Sequence, residues 1–335
     1  MNAMSWIARR VVFPSVMYLL TQSPRKMARI LDGKALAATI KSELKDKIEN
    51  WVNLGNRAPC LRCIVVGDDP ASQTYVNNNI RAATNIGINA EVIRYESTIT
   101  EDQLIREIQT FNAEDSVDGI LVQLPVPETM SERKVCNAIA PEKDVDGFHI
   151  MNIGQLCVDM PSFVPATALG VIQILKRFEI ETFGRNAVVV SRSKNIGLPI
   201  AMILHSDNRH ENGLGMDATV TICHRYTPPE QLKAFCQNAD IVITATGIPK
   251  LIKADMIKPG ATVIDVGMTR VTDESGTSRF VGDVDYDEVV QVAGAVTPVP
   301  GGVGPMTVAM LMHNTFQAAK QLREKAQPKE FEDFF

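Results

Sequence analysis

The sequence predicts an α/β protein with two α/β domains, the second built on a Rossmann-like doubly wound parallel sheet. Apolar residues alternate along the chain between helical spacing and short buried runs, a pattern typical of strands connected by crossover helices. The second half contains four short runs rich in β-branched residues, and helical segments separate the first three of them. The length of 335 residues is sufficient for two such domains.

The elements of the first half alternate in type. In chain order they are a helix over 33–53, a strand over 61–66, a helix over 72–86, a strand over 90–95, a helix over 101–112 and a strand over 119–123. The periodicity weakens over 141–163, and a connecting helix is predicted over 167–178. This alternation predicts a parallel sheet that helices cover.

The second half repeats the pattern with short strands. The predicted strands are 187–190, 218–223, 241–245 and 262–266. The last strong element is apolar over most of its surface and is therefore expected to be a buried helix. We accordingly assign residues 30–165 to the first domain, residues 166–304 to the second, a further helix to 305–324, and residues 325–335 to a tail.

The first 31 residues differ from the rest of the chain in charge. They contain no acidic residue and five basic ones, which are Arg9, Arg10, Arg25, Lys26 and Arg29. Their apolar run, 11–20, is interrupted by Pro14 and is too short to span a bilayer. We expect residues 1–29 to be a transit segment for import into the mitochondrial matrix. A secretory signal and a disordered N-terminus are the alternatives.

Composition restricts the classes of partner. The formal net charge of −5 gives the chain no general attraction to phosphate backbones or anionic lipid, so we expect neither nucleic-acid binding nor membrane insertion. Only Cys60 and Cys63 among the six cysteines are closely spaced, and they lie in a predicted strand. This placement favours a structural role over a zinc or redox site. Small-molecule chemistry is the remaining expectation.

The first strand of the second domain is followed by a polar turn and a helix. Free N–H groups at such a helix start can bind a pyrophosphate, although Gly197 is the only glycine of the usual dinucleotide fingerprint. The next strand ends in His224 and Arg225. Arg192 and Arg225 can converge on one phosphate, with Asp217 nearby to balance charge or hold a divalent ion. The alternative is a surface network of arginine and aspartate.

Two further strands of this domain end in glycine, at Gly247 and Gly267. Glycine permits the close approach of a flat ligand, and it is also a common turn former. All four predicted strands of this half are thus followed by residues suited to bind a nucleotide, which favours a nucleotide crevice.

Another group of candidate residues lies in the first domain. Tyr75 and Asn79 share one face of a predicted helix. Gln123 ends a predicted strand, and Asp146 lies in the irregular segment PEKDVDGFH. A stacking ring, an amide and a carboxylate can together bind a planar, amide-like heterocycle. Asparagine and tyrosine on a helix are also ordinary boundary residues.

The chain resembles the methylenetetrahydrofolate dehydrogenase/methenyltetrahydrofolate cyclohydrolase family from about residue 30 to residue 322. The resemblance is carried, in order and spacing, by the segments GDDPASQTYV, VDGILVQLPVP, PEKDVDGFH, SRSKNIGLP and TPVPGGVGPMT. The segment DATVTICHRYTPPEQL further resembles the mitochondrial NAD-preferring branch, which is thought to use magnesium and inorganic phosphate in place of the NADP ribose phosphate.

The resemblance implies a homodimer that binds tetrahydrofolate derivatives in a cleft between its two domains and NAD in the second. It also implies that the helix 305–324 returns to pack on the first domain and completes it. The residues that it implies to be catalytic are Tyr75, Asn79, Gln123 and Asp146. Those implied to bind the folate are Tyr75, Gln123, Asp146, Pro300, Gly301 and Gly302. Those implied to bind the cofactor are Ser191, Arg192, Ser193, Gly197, His224, Arg225, Thr246, Gly247, Val266, Gly267 and Thr307. Asp217 is implied to bind Mg²⁺, and Arg192 and Arg225 are implied to hold the inorganic phosphate.

The chain departs from the family pattern at three positions. Asn79 replaces the lysine of a Tyr-x-x-x-Lys motif, and an amide can neither act as a general base nor supply a charge. We therefore expect severely reduced cyclohydrolase activity while hydride transfer survives. Ser191 replaces a glycine beside the cofactor phosphates, which would weaken NAD binding particularly if the turn needs a positive φ, and Ala168 replaces a proline.

Two alternatives follow from these departures. One is an NADP-preferring dehydrogenase of the same family. The other is a folate- or nucleotide-binding homologue with little turnover. Detectable hydride transfer excludes the second, and stimulation of NAD use by phosphate argues against the first.

Overall fold

The computed structural model describes residues 27–209, 213–272 and 276–326. The predicted transit segment lies outside this part of the chain except for its last three residues, and the predicted tail except for its first two. The described residues form two parallel sheets with helices packed against them, which confirms the predicted α/β class.

Helices and strands alternate along most of the chain. In chain order the elements are β1 (Arg29–Ile30), α1 (Gly33–Asn53), β2 (Cys60–Val66), α2 (Pro70–Asn85), β3 (Asn89–Tyr95), α3 (Glu101–Ala113), β4 (Gly119–Val122), α4 (Glu132–Ala138), α5 (Ile150–Cys157), α6 (Ala166–Arg177), β5 (Asn186–Val190), α7 (Gly197–His205), β6 (Thr219–Cys223), α8 (Pro229–Asn238), β7 (Ile241–Thr244), β8 (Thr262–Asp265), β9 (Thr269–Thr272), β10 (Ser278–Val281), α9 (Tyr286–Val289), β11 (Ala295–Val296) and α10 (Val303–Ala326). A single turn of 3-10 helix, Ala254–Met256, lies between β7 and β8.

The first sheet has three strands in the order β3-β2-β4, and both pairings are parallel. Cys63 on the central strand pairs with Val92 and Leu121, and its side chain is fully buried. Cys60 is buried on the same strand, so the strand prediction for this cysteine pair is confirmed. Helix α2 follows β2 and therefore begins at the carboxyl edge of this sheet.

The second sheet has six strands in the order β1-β11-β8-β7-β5-β6, and all its pairings are parallel. Strands β5 to β8 lie close to the predicted bounds. The sequence does not predict β1 and β11, because two residues are too few to show a period. Arg29 pairs with Ala295 and Ile30 with Val296, so the described chain passes through the second sheet before it forms the first. The antiparallel hairpin of β9 and β10 is also not predicted.

The last helix, α10, packs against α1, α2 and α6. Met306, Ala309 and Met310 on this helix are buried in an apolar cluster that also contains residues of those three helices. The chain therefore returns to the first sheet, as the family resemblance implies. None of the helices in the described part of the chain, α10 included, is long and apolar enough to cross a membrane.

The start of α1 is packed tightly against the loop that precedes α10. Lys34 N donates a hydrogen bond to Gly301 O at 2.8 Å. A Cβ atom placed on Gly33 would overlap the backbone carbonyl of Gly302, which cannot rotate away as a side chain could. Only glycine at position 33 allows this approach, which fixes the loop 300–302 relative to α1.

We predict that Gly33→Ala destabilises the protein by about 1–3 kcal/mol, the usual cost of forcing extra volume into a packed site. Gly154→Ala on α5 is the matched control, because a Cβ atom there meets nothing within 4 Å. Urea denaturation measures both free energies of unfolding. Equal effects of the two substitutions would show that the Gly33 contact does not constrain the loop.

Candidate active site

Helix α2 carries the first two candidate residues. Its start is fixed by Asp69, whose Oδ2 accepts a hydrogen bond from Ser72 N at 2.7 Å. Tyr75 and Asn79 lie one turn apart, and their exposed fractions are 39% and 8%. Burial raises the pKa of Tyr75. The Asn79 side chain makes no hydrogen bond to a residue that the structure describes, so its amide is available to a ligand or to water.

Gln123 follows β4 directly, at the carboxyl edge of the first sheet. Its backbone N–H donates to Ile64 O on the neighbouring strand at 2.9 Å, and its Nε2 donates to Leu124 O at 2.9 Å. The side chain is half-buried. The backbone of Gln123 is therefore fixed by the sheet itself.

Asp146 lies in a loop that is organised by a different carboxylate, that of Asp144. Asp144 bridges to Ile120 of β4 and is 1% exposed. Its Oδ2 accepts hydrogen bonds from His149 N and Asn152 Nδ2, each at 2.8 Å, and its Oδ1 accepts one from Gly147 N at 3.1 Å. The two aspartates thus have different roles, since Asp144 holds the loop in which Asp146 stands.

Helix α10 holds the same loop from its other side. Asn314 is 3% exposed, and its Nδ2 donates to Val145 O at 2.8 Å and to Val164 O at 3.0 Å. Gly147 has φ of +73°, and a Cβ atom there would overlap the backbone at Phe163. Sequence reasoning missed Asp144 and Asn314. The repeated acid of KDVDG was a signal for the first, whereas nothing in the sequence pointed to the second.

The carboxyl group of Asp146 is half-buried and has no hydrogen-bond partner within the described part of the chain. Burial raises its pKa to about 8, and the nearby charge of Asp144 acts in the same direction. At neutral pH this group is therefore largely protonated when no ligand faces it. A ligand with two adjacent N–H donors would favour the carboxylate form.

Ser191 is buried in the turn that follows β5, and it is not among the residues with positive φ. Its Oγ donates to Ala245 O at 3.0 Å and accepts from Ser193 N at 3.2 Å. A Cβ atom on Gly197 would overlap the Ser191 side chain, so that glycine makes room for the serine. The turn does not need a positive φ at this position, so the serine causes no backbone strain there. Helix α7 begins at Gly197 without a side-chain cap.

Two arginines follow neighbouring strands at the carboxyl edge of the second sheet. Arg192 follows β5 and Arg225 follows β6, and both are exposed. The Arg192 guanidinium lies 5.3 Å from the ring centroid of Tyr226, next to Arg225 in sequence. Neither arginine forms an ion pair with a described residue, so the alternative of an arginine–aspartate network is not observed in that part of the chain. His224 Nδ1 accepts from Tyr226 N at 3.2 Å and shapes the same turn.

Asp217 does not join these arginines, which corrects the predicted metal site. It precedes β6, whereas Arg225 follows it, and the five residues of that strand span about 16 Å. Its backbone carbonyl accepts from Gly184 N at 2.8 Å, at the amino edge of the sheet, and its φ is +52°. The described residues contain no group of three or more histidine, cysteine or acidic side chains that could hold a metal.

The other predicted cofactor residues follow β7 and β8 at the same carboxyl edge. Thr246 and Gly247 come after β7, and Gly247 has φ of +71°. Val266 and Gly267 come after β8. Thr269 Oγ1 donates to Gly247 O at 3.1 Å, which ties the two loops together.

One contact joins the candidate residues of the two sheets. Tyr75 Oη lies 3.9 Å from Met268 Sδ, and Met268 directly follows Gly267. Sequence reasoning missed Met268, because an apolar residue after a strand carries no chemical signal.

The remaining predicted residues lie around the start of α10. Pro300, Gly301 and Gly302 form the loop before this helix, and Gly301 has φ of +109°. Thr307 Oγ1 lies 3.2 Å from Thr167 Oγ1 on α6.

Two family models match the chain in sequence order. The catalytic domain of tetrahydrofolate dehydrogenase/cyclohydrolase matches residues 31–146. The NAD(P)-binding domain of tetrahydrofolate dehydrogenase/cyclohydrolase matches residues 165–323. Together the two matches cover most of the chain.

Three proteins that are similar to this chain are informative about the site. The human bifunctional methylenetetrahydrofolate dehydrogenase/cyclohydrolase 2, mitochondrial, is 56% identical over 299 residues, which are 89% of this chain and 86% of the relative. A solved structure of a novel 5,10-methylenetetrahydrofolate dehydrogenase from the silkworm, Bombyx mori, is 70% identical with a TM-score of 0.85, and the match covers 89% of this chain and 100% of that chain. The Trypanosoma brucei N5,N10-methylenetetrahydrofolate dehydrogenase-cyclohydrolase, solved with NADP cofactor and inhibitor, is 36% identical with a TM-score of 0.83, covering 90% and 100% of the two chains.

We predict that inorganic phosphate binds between Arg192 and Arg225. Phosphate at ten times its dissociation constant would stabilise the folded protein by about 1.4 kcal/mol, because it binds only the folded state. Arg192→Met and Arg225→Met should each lose most of this stabilisation, measured as the phosphate-dependent rise in the unfolding temperature. Arg106→Met, an exposed arginine on α3, is the control and should retain it. A full phosphate response in both site variants would contradict the prediction.

Proposed function

The chain belongs to the tetrahydrofolate dehydrogenase/cyclohydrolase family, and we propose that it oxidises 5,10-methylenetetrahydrofolate to 5,10-methenyltetrahydrofolate with NAD. The observation that carries the proposal is the contact between Tyr75 Oη and Met268 Sδ at 3.9 Å. Hydride transfer requires the two ligand rings to face each other at short range. A folate ring stacked on Tyr75 and a nicotinamide beside Gly267 would meet at this contact.

The residues fit a dinucleotide at the carboxyl edge of the second sheet. Gly247 allows close approach of a flat ring, and the uncapped start of α7 offers N–H groups to a pyrophosphate. NAD, when bound, supplies the acceptor for the hydride that leaves the methylene carbon, while a neighbouring nitrogen lone pair forms the new C=N bond. No protein base is required for this step.

The chain's own residues contribute binding and orientation. Tyr75 would stack on the folate, Gln123 would supply one donor and one acceptor, and Asp146 would accept the paired N–H donors of the pteridine. The loop 300–302, fixed against α1, would line the cleft. Such positioning can account for about 7–11 kcal/mol of a barrier when the geometry is near that of attack.

We further propose that NAD is preferred and that inorganic phosphate occupies the place of the NADP ribose phosphate. Arg192 and Arg225 are exposed and have no acidic partner among the residues that the structure describes, which supports an anion there. A magnesium ion accompanying the phosphate could be coordinated by phosphate oxygens and water, which Mg²⁺ favours, since Asp217 lies at the other end of β6. The alternative is NADP itself, as in the Trypanosoma brucei relative, because the same cations suit a ribose phosphate.

A paired assay tests the proposal. NAD reduction with 5,10-methylenetetrahydrofolate is measured with and without magnesium and phosphate, beside hydrolysis of 5,10-methenyltetrahydrofolate, on protein lacking residues 1–27. NADH formation that phosphate stimulates supports the proposal. NADP use without phosphate stimulation favours the NADP alternative, and binding of both ligands without turnover favours a non-catalytic homologue.

We propose that the protein acts in mitochondria as a homodimer. The human relative is named mitochondrial, and residues 1–29 have the composition of a transit segment. Strand β6 is the outer strand of the six-stranded sheet, and Ile222 on it is 44% exposed, so a second copy could cover this edge. Light scattering that gives the mass of one chain would contradict the dimer.

We predict that Asn79→Lys raises the rate of methenyltetrahydrofolate hydrolysis by about a hundred- to ten-thousand-fold, the usual contribution of a general acid or base. The family motif has lysine at this position, and Asn79 is 8% exposed on the face that it shares with Tyr75. Asn78→Lys adds the same charge at an exposed neighbouring position and should leave the rate unchanged. No gain in the Asn79 variant would contradict the proposed loss of cyclohydrolase function.

We predict that folate binding strengthens as pH rises towards 8. The pKa of Asp146 is raised to about 8, so below this pH the free protein must lose a proton before the carboxylate can accept two N–H donors. The dissociation constant of a tetrahydrofolate analogue should therefore fall by about tenfold per pH unit below 8 and level off above it. Asp146→Asn should weaken binding and remove this pH dependence, whereas Glu142→Gln in the same loop should keep it. A flat profile in the parent protein would contradict the role of Asp146.

A further inference from the structure

Two buried carboxylates, those of Asp265 and Asp283, lie beneath the loops that follow β7 and β8. Asp265 is 3% exposed and Asp283 is fully buried. Neither forms an ion pair with a basic residue in the described ranges. Buried acids without a cation are costly, and they persist where hydrogen bonds to them are needed.

Asp265 uses both of its oxygens as acceptors of backbone hydrogen bonds. Its Oδ1 accepts from Gly267 N at 2.9 Å and from Asp283 N at 3.1 Å, and its Oδ2 accepts from Val284 N at 2.9 Å. The loop after β8 is thereby tied to the segment 283–284. Burial raises the pKa of Asp265 to about 7, and the charge of Asp283 acts in the same direction.

Asp283 accepts hydrogen bonds from described residues through one carboxylate oxygen only. Its Oδ2 accepts from Thr244 Oγ1 at 2.9 Å and from Thr246 N at 2.6 Å, at the end of β7. Its Oδ1 is buried and has no hydrogen-bond partner among the described residues. The loops after β7 and β8 are therefore held by one continuous set of hydrogen bonds.

Two glycines make room for these carboxylates. A Cβ atom on Gly267 would overlap the carboxylate of Asp283, and one on Gly282 would overlap that of Asp265. Gly267 is one of the residues predicted to contact the cofactor, and the same position must accommodate Asp283 from below. The shape of the cofactor loops thus depends on the two acids directly.

We propose that Asp265 and Asp283 are positioning residues for the dinucleotide, which hold the Thr246 and Gly267 loops in the conformation that receives its nicotinamide half. This inference rests on the proposed function, because it takes NAD as the ligand of this edge. It assigns a role to two residues in addition to those proposed to bind the ligands, and these two would touch neither substrate nor cofactor. They accept hydrogen bonds from backbone N–H groups and thereby fix the loops that form the pocket wall.

The hydrogen bonds of the pair predict an asymmetry between isosteric substitutions. In Asp265→Asn one acceptor oxygen becomes an NH₂ group, which must then face a backbone N–H that it cannot satisfy. In Asp283→Asn the NH₂ group can take the place of Oδ1, which has no partner, while the amide oxygen still accepts from Thr244 and Thr246. Asp283→Ala removes the acceptor altogether.

The test measures the dissociation constant of NADH by fluorescence and the KM values for NAD and 5,10-methylenetetrahydrofolate. Asp265→Asn and Asp283→Ala should weaken NADH binding at least fivefold, with less than a twofold change in the KM for the folate. Asp283→Asn should recover most of the affinity that Asp283→Ala loses. Asp285→Asn, two residues away and paired with Lys250 at 3.2 Å, is the control and should bind NADH as the parent does.

A loss of less than fivefold in Asp265→Asn would overturn the proposal, as would an equal loss of folate and NADH affinity. If Asp283→Ala does not fold, Asp265→Asn decides the question, because it adds no volume. Failure of the proposed function can be told apart from failure of this inference. A parent protein that binds NADH without turnover would contradict the function, and the NADH affinities of the variants could still be compared.

Discussion

In both larger sheets every strand runs parallel to its neighbours, so all carboxyl ends of a sheet lie at one edge. This constraint decides which side chains can cooperate. It brings Arg192 and Arg225 to one edge because each follows its strand, and it keeps Asp217 away because that residue precedes β6. Residues close in sequence are thus separated by the length of a strand, whereas residues more than thirty positions apart become neighbours.

Buried polar side chains organise the loops at those edges. In the segment KDVDG, Lys143 Nζ donates to Asn112 O and Glu114 O at 2.8 Å, which are carbonyls at the C-terminal end of α3. Asp144 folds its own loop, and Asp146 is left without a described partner and with a raised pKa. Three charged residues of one short segment therefore lie in three different environments, which depend on what each one faces.

The two reactions of the family make different demands on a site. Hydride transfer needs the two ligands aligned, and rigid loops on the two sheets can provide that alignment. Hydrolysis also needs a proton to be moved, and our proposal that this reaction is impaired rests on the amide of the buried Asn79, which is not a general acid or base. A single substitution can thus remove one reaction from a shared site and leave the other. In their proposed role, Asp265 and Asp283 hold the loops that receive the nicotinamide, and only hydride transfer uses that ligand.

The sequence by itself determined the α/β class, most element bounds, the family and the candidate residues on α2, because periodicity and short motifs are local properties of the chain. It determined as well that position 79 lacks a lysine. Only the tertiary structure decided that Asp217 stands apart from the arginines, that Ser191 fits its turn because Gly197 yields space, and that β1 joins the second sheet. It alone revealed Asn314, Met268 and the Asp265–Asp283 pair. These features depend on contacts between distant segments, and such contacts leave no period or spacing in a single sequence.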